Sequence, residues 1–216
     1  GYIERQLREL GIETHSEIGR VGLVGVLCKG DSNRAIGLRA DMDALKIQEL
    51  NTFEYRSKTE GHMHACGHDG HSAMLLGAAE ALRSLDFDGT VYFVFQPNEE
   101  HGLGAQAMID DGLFDRFPMD AIYGMHNMPG RPAGQLAMKP GGIMAGEDNF
   151  SLTIVGRGGH ASQPHQHIDP LVIGAEIILA IQSIVARSID PAEQAVVSVT
   201  EIEADGTVKS CPVSSR

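Results

Sequence analysis

The sequence predicts an α/β protein with a mostly parallel sheet, because short apolar runs alternate with helical stretches through its first half. The run at residues 90–95 is rich in β-branched and aromatic side chains and is stopped by Pro97, which is typical of a buried strand. Residues 72–85 are rich in alanine and leucine, as helices commonly are. The predicted strands are residues 21–27, 35–40, 90–95 and 121–125, and the predicted helices are residues 72–85 and 106–113.

A turn-rich stretch at residues 138–146, which contains one proline and three glycines, predicts a change of domain. We place the boundary between an α/β domain at residues 1–144 and a second domain at residues 145–216. Asp169 is expected to cap a helix that has Pro170 at its first position. The elements predicted for the second domain are a strand at 151–155, a helix at 169–188 and a strand at 195–202. This β-α-β unit predicts the start of a smaller α+β domain, and more chain is expected because so few elements cannot bury both faces of a sheet.

The composition is that of an ordinary globular protein. Of 216 residues, 42% are hydrophobic and 21% are charged, which argues against disorder. The formal net charge of −12 disfavours a nucleic-acid partner, because phosphate binding needs clustered lysine and arginine.

The apolar segments and the cysteines predict a cytoplasmic protein with no membrane partner. The longest apolar-rich segment, residues 171–186, is interrupted by Glu176, Gln182 and Ser183, so no stretch is expected to reach the length of a transmembrane helix. An odd number of cysteines without a CxxC pair favours a reducing compartment over a disulfide framework. The three cysteines are Cys28, Cys66 and Cys211.

Side chains that bind metals gather where the predicted strands end. In open α/β sheets, ligands bind beyond the carboxyl ends of the strands, so these side chains are expected to meet. They are Asp41 and Asp43 after the strand at 35–40, Glu99 and Glu100 after the strand at 90–95, His126 after the strand at 121–125, and the cluster of His62, His64, Cys66, His68, Asp69 and His71 before the helix at 72–85.

The local spacing of these residues fits metal chemistry. Cys66 and His68 are two positions apart, so on an extended loop they point the same way and can hold one ion from one side. Glu99 and Glu100 are adjacent and point in different directions. One of the two glutamates can therefore coordinate a metal while the other faces a water molecule and acts as a general base. Two carboxylates in one site should also perturb each other's pKa values.

Each of these residues taken alone has an ordinary structural explanation. A lone Cys66 is typical of a small buried hydrophobe, a glutamate pair of a solvated surface, and a lone His126 of a satisfied core histidine. His160, within GRGGHASQPH, is on its own equally typical of a loop residue without a role. Four histidines and a cysteine within residues 62–71, combined with the glutamate pair and His126, favour a metal site instead.

Two other kinds of site are disfavoured. The glycines at positions 19, 22 and 25 are spaced GxxGxxG, which differs from the dinucleotide-binding pattern GxGxxG, and the sequence has no P-loop. It also has no GxSxG motif of the kind that carries a serine nucleophile.

Five motifs together resemble the M20 peptidase family. In chain order they are GLRADMDAL, HACGHDGH, FQPNEE, YGMHNMPG and GRGGHASQPH. The branch that they resemble contains hippurate hydrolases, N-acyl-amino-acid amidohydrolases, N-acetyldiaminopimelate deacetylases and plant auxin-conjugate hydrolases. The resemblance implies metal-dependent hydrolysis of the amide bond of small N-acyl amino acids. It also implies a zinc-peptidase-like catalytic domain, followed by the first half of a ferredoxin-like α+β lid and dimerisation domain.

The resemblance further implies a centre with two divalent metal ions, zinc or manganese, with cobalt or nickel also compatible with the ligands. The implied ligands are Cys66 in the bridging position, His68, Glu100 and His126.

The resemblance assigns roles to three more residues. Glu99 is implied as the general base that takes a proton from the attacking water and returns it to the leaving amine. Asp43 is implied to orient a metal ligand. His160 is implied to reach into the active site of a partner subunit and stabilise the oxyanion, which requires a homodimer. Asp41 is not assigned to metal, because other branches carry a ligand histidine at its position.

The sequence departs from the family after Glu203, where ADGTVKSCPVSSR does not match the expected pattern. Family members continue through the rest of the lid and return with a last metal-binding histidine, so the chain is expected to be truncated at its C-terminus. An alternative hypothesis is therefore a catalytically inactive fragment that binds metal or pairs with an intact partner. A dipeptidase or aminoacylase is an alternative within the family, although Cys66 favours the hippurate-type branch.

Overall fold

The computed structural model describes residues 1–204 and 214–215. The chain divides into two compact units, Gly1–Gln135 and Leu136–Arg216. This division lies before the boundary predicted between residues 144 and 145. The functional roles expected for the two domains stay predictions.

The first unit is built around a five-stranded sheet in the order β1-β2-β4-β3-β5. Its strands are β1 (Glu13–Ile18), β2 (Gly22–Lys29), β3 (Ala35–Asp41), β4 (Gly89–Gln96) and β5 (Ala121–Gly124). Its helices are α1 (Tyr2–Glu9), α2 (His68–Ser84), α3 (Gly104–Asp110) and α4 (Leu113–Arg116). The predicted α/β class and the four predicted strands are confirmed, whereas the single helix predicted at 106–113 is replaced by α3 and α4.

The sheet is mixed. β3 lies parallel to both β4 and β5, whereas β2 lies antiparallel to both β1 and β4. The parallel part is the part that matters for the site, because it places the ends of three strands at one edge. In this register Asp41 lies beside Gln96 and Arg39 lies beside Gly124, so the loops that follow β3, β4 and β5 start side by side.

Apolar side chains fill both faces of the sheet, with β4 buried at its centre. Phe93 and Phe95 belong to the cluster that contains residues of α1 and α2. Val94, which points to the opposite face, packs with Met108 and Leu113 of α3 and α4. Because successive side chains of β4 point to opposite faces, β4 packs against helices on both sides of the sheet. This packing supports the sheet edge next to the site.

Helix α2 buries one stripe against the sheet, and that stripe carries two histidines into the site. The buried residues follow helical spacing: His68, His71, Ser72, Leu75 and Ala79. Leucine and alanine lie deeper along α2, while the histidines occupy its first turn. The same packing that holds the helix on the sheet therefore fixes the position of both imidazoles.

The second unit has a short antiparallel pair of strands, β6 (Ile154–Val155) and β7 (Ser214–Ser215), and one long helix, α5 (Pro170–Ser188). A 3₁₀ turn at Pro164–Gln166 precedes α5. The predicted cap is confirmed, because the Asp169 side chain accepts a hydrogen bond from the Leu171 N–H and Pro170 is at the first helical position.

The strand predicted at 195–202 is wrong, since these residues have no regular secondary structure, and the strand predicted at 151–155 is limited to Ile154–Val155. A strand needs a neighbour that completes its backbone hydrogen bonds. Within the described residues, β6 pairs with β7 alone. The continuation as a ferredoxin-like domain stays a prediction.

Helix α5 also corrects the expectation about membrane spans. Among residues 1–204 and 214–215, it is the single helix long and apolar enough to cross a membrane, with 19 residues and a mean hydropathy of 1.7. The polar residues Glu176, Gln182 and Ser183 do not outweigh the apolar residues of this helix. Length and composition alone do not assign a membrane location, because core helices of soluble proteins meet the same criteria.

Candidate metal centre

The predicted ligands come together at the carboxyl edge of the parallel strands. Asp43 follows β3, Glu99 and Glu100 follow β4, and His126 follows β5. Gly67, with φ of 87°, makes a left-handed turn that places Cys66 just before α2. The sequence predicted that these side chains gather at the strand ends, and the parallel pairing of β3 with β4 and β5 produces this arrangement.

His68 lies at the middle of the cluster. Three sets of side chains share it, and in each set the ligand atoms lie within 4.8 Å of one another; two of these sets contain the predicted ligands. One set contains Cys66 and His126, and the other contains Glu99 and Glu100. Cys66 Sγ lies 3.5 Å from His126 Nε2, so residues 60 positions apart in the chain are in direct contact.

The imidazole of His68 is oriented so that one nitrogen faces the cluster. Its Nδ1 lies 3.0 Å from the backbone oxygen of Asp43 and 3.2 Å from Asp43 Oδ1. A carbonyl oxygen can only accept, so Nδ1 carries the proton and Nε2 presents a lone pair. Nε2 lies 3.7 Å from Glu99 Oε2 and 3.7 Å from Glu100 Oε1.

His126 is oriented in the same way by a different carbonyl group. Its Nδ1 donates to the backbone oxygen of Asn127 at 2.7 Å, which leaves Nε2 as the lone-pair nitrogen facing Cys66. Histidines that bind metals almost always donate their other ring N–H to a carbonyl or carboxylate, because this fixes the tautomer and the ring orientation. Both histidines therefore have the arrangement of metal ligands.

The cluster leaves two buried polar atoms without a hydrogen-bond partner among the described residues, and this allows a test of whether it fits a cation. The atoms are His68 Nε2 and Glu100 Oε1, which face each other. Burying a polar atom without a partner costs about 1–3 kcal/mol, so such atoms are rare in folded proteins. A divalent cation held between an imidazole nitrogen and a carboxylate oxygen satisfies both, and the residues present fit that group.

The two adjacent glutamates differ in exposure. The side chain of Glu99 is 40% exposed and that of Glu100 is 21% exposed. Asn98 precedes them with φ of 50°, a left-handed conformation that asparagine adopts more readily than most residues, and this turn sets the direction in which the pair leaves β4. The geometry suits Glu100 to a buried ligand position and leaves Glu99 open to water.

Asp43 connects two of the predicted ligands. One of its carboxylate oxygens accepts from the backbone N–H of Glu100 at 3.2 Å, and the other lies beside His68 Nδ1. It thereby links the loop after β3 to the loop after β4. This is the arrangement expected of a residue that orients ligands without binding the metal itself.

The thiol of Cys66 is held protonated when no cation is bound. Burial, and then the negative charges of Glu100 and Glu99, raise the pKa of Cys66 to about 11. A bound cation reverses this balance, because the thiolate is the form that ligates metals. Metal binding at this cluster is therefore coupled to the release of a proton.

Sequence reasoning gave no role to His71 and did not assign Asp41 to metal. Asp41 and His71 are both buried, and the ring nitrogen Nδ1 of His71 lies 2.5 Å from Asp41 Oδ1. Burial raises the pKa of Asp41, but the hydrogen bond from His71 and the charge of Arg39 outweigh burial and hold it below its ordinary value. The pattern that could have indicated His71 is its helical spacing from His68 on the buried stripe of α2.

Asp41, His68 and His71 form a third set with the spacing of metal ligands, but this set is closed. Both ring nitrogens of His71 are engaged, one by Asp41 and the other by Asn127. The second oxygen of Asp41 accepts from Arg39 at 2.8 Å. We therefore place no metal there, in agreement with the omission of Asp41 from the predicted ligands.

The remaining predicted site residue, His160, belongs to the second unit. Its Nδ1 accepts from the backbone N–H of Ser162 at 3.2 Å, and the side chain is exposed. Its role in the active site of a partner subunit stays a prediction. His62 and His64, from the same motif as Cys66, are exposed and belong to none of the three ligand sets.

Comparison with known proteins places this cluster in a family. Residues 37–211 match Peptidase family M20/M25/M40. The chain is 49% identical over 197 residues to the hippurate hydrolase of Campylobacter jejuni. This match covers 91% of this chain and 51% of that protein. The chain is also 39% identical over 213 residues to the N-acetyl-L-cysteine deacetylase of Bacillus subtilis. This match covers 98% of this chain and 51% of that protein.

A solved structure gives the same result. The dinuclear metal-binding peptidase of the M20 family from Bacillus subtilis matches with a TM-score of 0.66 and 32% sequence identity, covering 99% of this chain and 55% of that chain. The chain spans about half the length of the curated relatives it matches. With the family match extending over most of the sequence, the chain belongs to the M20 peptidase family.

Proposed function

We propose that the protein of which this chain forms a part is a metal-dependent amidohydrolase that cleaves the amide bond of N-acyl amino acids. The observation that carries the proposal is the pair of buried, unpartnered atoms, His68 Nε2 and Glu100 Oε1, within reach of Cys66 and His126. The names of two relatives, hippurate hydrolase and N-acetyl-L-cysteine deacetylase, support N-acyl amino acids as the substrate class.

Cys66, His68, Glu100 and His126 would hold two divalent ions. A dinuclear metal-binding relative supports the number of ions. Thiolate and imidazole ligands favour zinc, whereas the carboxylates are also compatible with manganese, cobalt or nickel. When bound, the ions supply Lewis-acid polarisation of the substrate carbonyl and lower the pKa of water.

Glu99 acts as the general base in this proposal. Its carboxylate is the more exposed of the two, so both water and substrate can reach it. Glu99 removes a proton from the attacking water as the new C–O bond forms, and it donates that proton to the amine nitrogen as the C–N bond breaks. Asp43 holds His68 and the Glu100 backbone in place during both steps.

The experiment compares Glu99→Gln with Glu100→Gln in the whole protein. Glu99→Gln is expected to lose at least about 100-fold in kcat while it retains wild-type metal content, because it removes a base and no ligand. Glu100→Gln is expected to lose metal. Full activity of Glu99→Gln, or full metal content of Glu100→Gln, would contradict the assignment.

Two panels of measurements separate the rival functions. N-benzoyl and N-acetyl amino acids assayed beside dipeptides distinguish an amidohydrolase from a dipeptidase. Assay of the 216-residue chain beside the whole protein tests the hypothesis of an inactive fragment, which turnover by the short chain would exclude.

We also propose that the whole protein is a homodimer joined through the second unit, with His160 serving the site of its partner. Large apolar side chains on α5 are exposed and support this, among them Leu179 at 74% and Val172 at 55%. Leu179→Glu is expected to shift the sedimentation of the whole protein towards the monomer. A dimer of unchanged affinity would exclude this face of α5 from the interface.

A further inference from the structure

A chain of hydrogen bonds runs from the sheet to the loop that carries His126. Arg39 Nη1 donates to Asp41 Oδ2 at 2.8 Å, and His71 Nδ1 lies 2.5 Å from Asp41 Oδ1. On its other side, His71 Nε2 accepts from the backbone N–H of Asn127 at 3.0 Å. The chain therefore joins β3, α2 and the segment after β5, and it contains none of the proposed metal ligands.

Two groups of Asn127 meet the same ring nitrogen of His71. The backbone N–H of Asn127 donates to Nε2 at 3.0 Å, and Asn127 Oδ1 lies 2.9 Å from that nitrogen. On the other side of the ring, Nδ1 faces the Asp41 carboxylate. His71 therefore contacts both the backbone and the side chain of Asn127.

The peptide groups of Asn127 connect His71 to His126. The N–H of Asn127 donates to His71, and its C=O accepts from His126 Nδ1 at 2.7 Å. The rings of His71 and His126 are also in edge-to-face contact, with centroids 4.4 Å apart. Through these contacts His71 holds both the backbone and the ring of His126.

The position of His126 makes this support necessary. β5 is at the edge of the sheet and ends at Gly124, and the residues that follow it, including His126 and Asn127, are exposed. By contrast His71 is 2% exposed and is fixed by the packing of α2. A rigid buried side chain is thereby available to hold a ligand that sits on an exposed loop.

We propose that His71 is the positioning residue that holds His126 against Cys66 and so sets the metal affinity of that side of the centre. This inference rests on the proposed metal-dependent function, and it assigns to His71 a role outside the ligand set. Residues that orient ligands through hydrogen bonds typically change metal affinity by about 10–100-fold.

The test uses cobalt binding to the whole protein, followed by calorimetry and by the thiolate-to-cobalt absorption that reports Cys66. His71→Phe keeps an aromatic ring but removes the hydrogen bonds to Asp41 and Asn127. The Kd of the lower-affinity cobalt site is expected to rise by roughly 10–100-fold. His71→Gln keeps an acceptor for the Asn127 N–H, so a smaller loss is expected. His62→Phe alters an exposed histidine of the same motif and is expected to bind as wild type does.

A double-mutant cycle separates positioning from a general loss of stability. If His71 acts through His126, then His71→Phe has no further effect on cobalt affinity when His126 is already alanine. An equal loss in both backgrounds would overturn the proposal, as would wild-type binding by His71→Phe. A second readout needs no metal: hydrogen exchange at the Asn127 amide should be faster in His71→Phe than in wild type, and unchanged exchange also overturns the proposal.

The outcomes distinguish this inference from the function on which it rests. A wild-type whole protein that binds no cobalt overturns the metal centre and the positioning role together. Normal wild-type binding with an unaffected His71→Phe variant overturns the positioning role alone.

Discussion

The two histidines at the metal centre are oriented by the same device but are supported very differently. His68 donates to the carbonyl of Asp43 and is 1% exposed, in the first turn of a helix packed on the sheet. His126 donates to the carbonyl of Asn127, its neighbour in the chain, and lies on an exposed loop after the edge strand. The first ligand is fixed by the core of the fold, and the second is fixed by a few polar contacts.

This difference indicates that the two sides of the centre should respond unequally to substitution. His68 contacts the carboxylate and the backbone carbonyl of Asp43, in the loop after β3, which lies between two other strands. Because this region is well packed, we expect it to resist small changes nearby. The position of His126 depends on Asn127, which depends in turn on His71 and on the turn at Gly67. Substitutions at that turn are expected to have the largest effects.

The largest effect is expected for Gly67→Ala. A Cβ on Gly67 would lie 2.3 Å from Asn127 Oδ1, and the φ of +87° is itself unfavourable for alanine. The side chain of Asn127 must move, and its contact with His71 Nε2 is lost as it does. We expect zinc affinity measured by calorimetry to fall by roughly 100-fold, the upper end for loss of an orienting contact.

Gly61→Ala is the matched control for this variant. Gly61 also has a positive φ, +70°, but no atom lies within 4 Å of the position of a new Cβ. Gly61→Ala should therefore lose about 1–2 kcal/mol of stability from backbone strain and retain zinc affinity. Equal losses of zinc affinity in the two variants would show that strain, and not the displacement of Asn127, is responsible.

The pH dependence of zinc binding tests the proposed role of Cys66 as a ligand. The pKa of Cys66, raised to about 11, lies above the pH of any ordinary assay, so the free thiol is protonated and zinc must displace its proton. Affinity should therefore rise with pH, by about tenfold per unit between pH 7.5 and 9, and level off only near the pKa.

Proton release gives a direct measurement of this coupling. Calorimetry at pH 8 in buffers of different ionisation enthalpy should detect about one proton released per Cys66 that binds. Cys66→Ala should release none at this pH and should show a flat affinity profile. A wild-type profile that is also flat would mean that Cys66 does not ligate the metal as a thiolate.

A smaller effect is expected for Asp43→Asn, on the better supported side of the centre. The backbone carbonyl of residue 43 still accepts from His68, so the ring keeps its tautomer. The substitution removes one negative charge and replaces the carboxylate that accepts from the Glu100 N–H with a weaker acceptor. Zinc affinity should fall by about tenfold, the lower end for such contacts, and His71→Phe should lose at least as much. A larger loss in Asp43→Asn would reverse the ranking of the two sides.

Much of the first unit could be predicted from local patterns. β2, β3, β4 and β5 are apolar enough to be recognised, and the residues that follow three of them gather at one edge, as parallel strands require. β1 was missed because its sequence, ETHSEI, is almost entirely polar. The antiparallel pairing of β2 with β4 was missed because strand direction depends on the path of the chain, which local periodicity does not report.

The support of the site could not be predicted in the same way. Asp41 and His71 are 30 positions apart, and their contact exists only when α2 packs on β3. The orienting carbonyls of Asp43 and Asn127 carry no sequence information, since every residue has such a group. Sequence chemistry therefore identified which side chains gather, while the bonds that hold them in position required the fold.

The smallest effect is expected at Asn98, where the backbone and not the side chain is proposed to matter. Its φ of 50° turns the chain just before Glu99 and Glu100, and alanine in that conformation costs about 1 kcal/mol. Asn98→Ala should therefore lower the free energy of unfolding in urea by that amount, and Asn98→Gly should be close to neutral because glycine adopts positive φ freely. Zinc affinity should change little in either variant, since the direction of the glutamate pair is preserved. Equal destabilisation by Ala and Gly would instead show that contacts of the Asn98 side chain hold this turn.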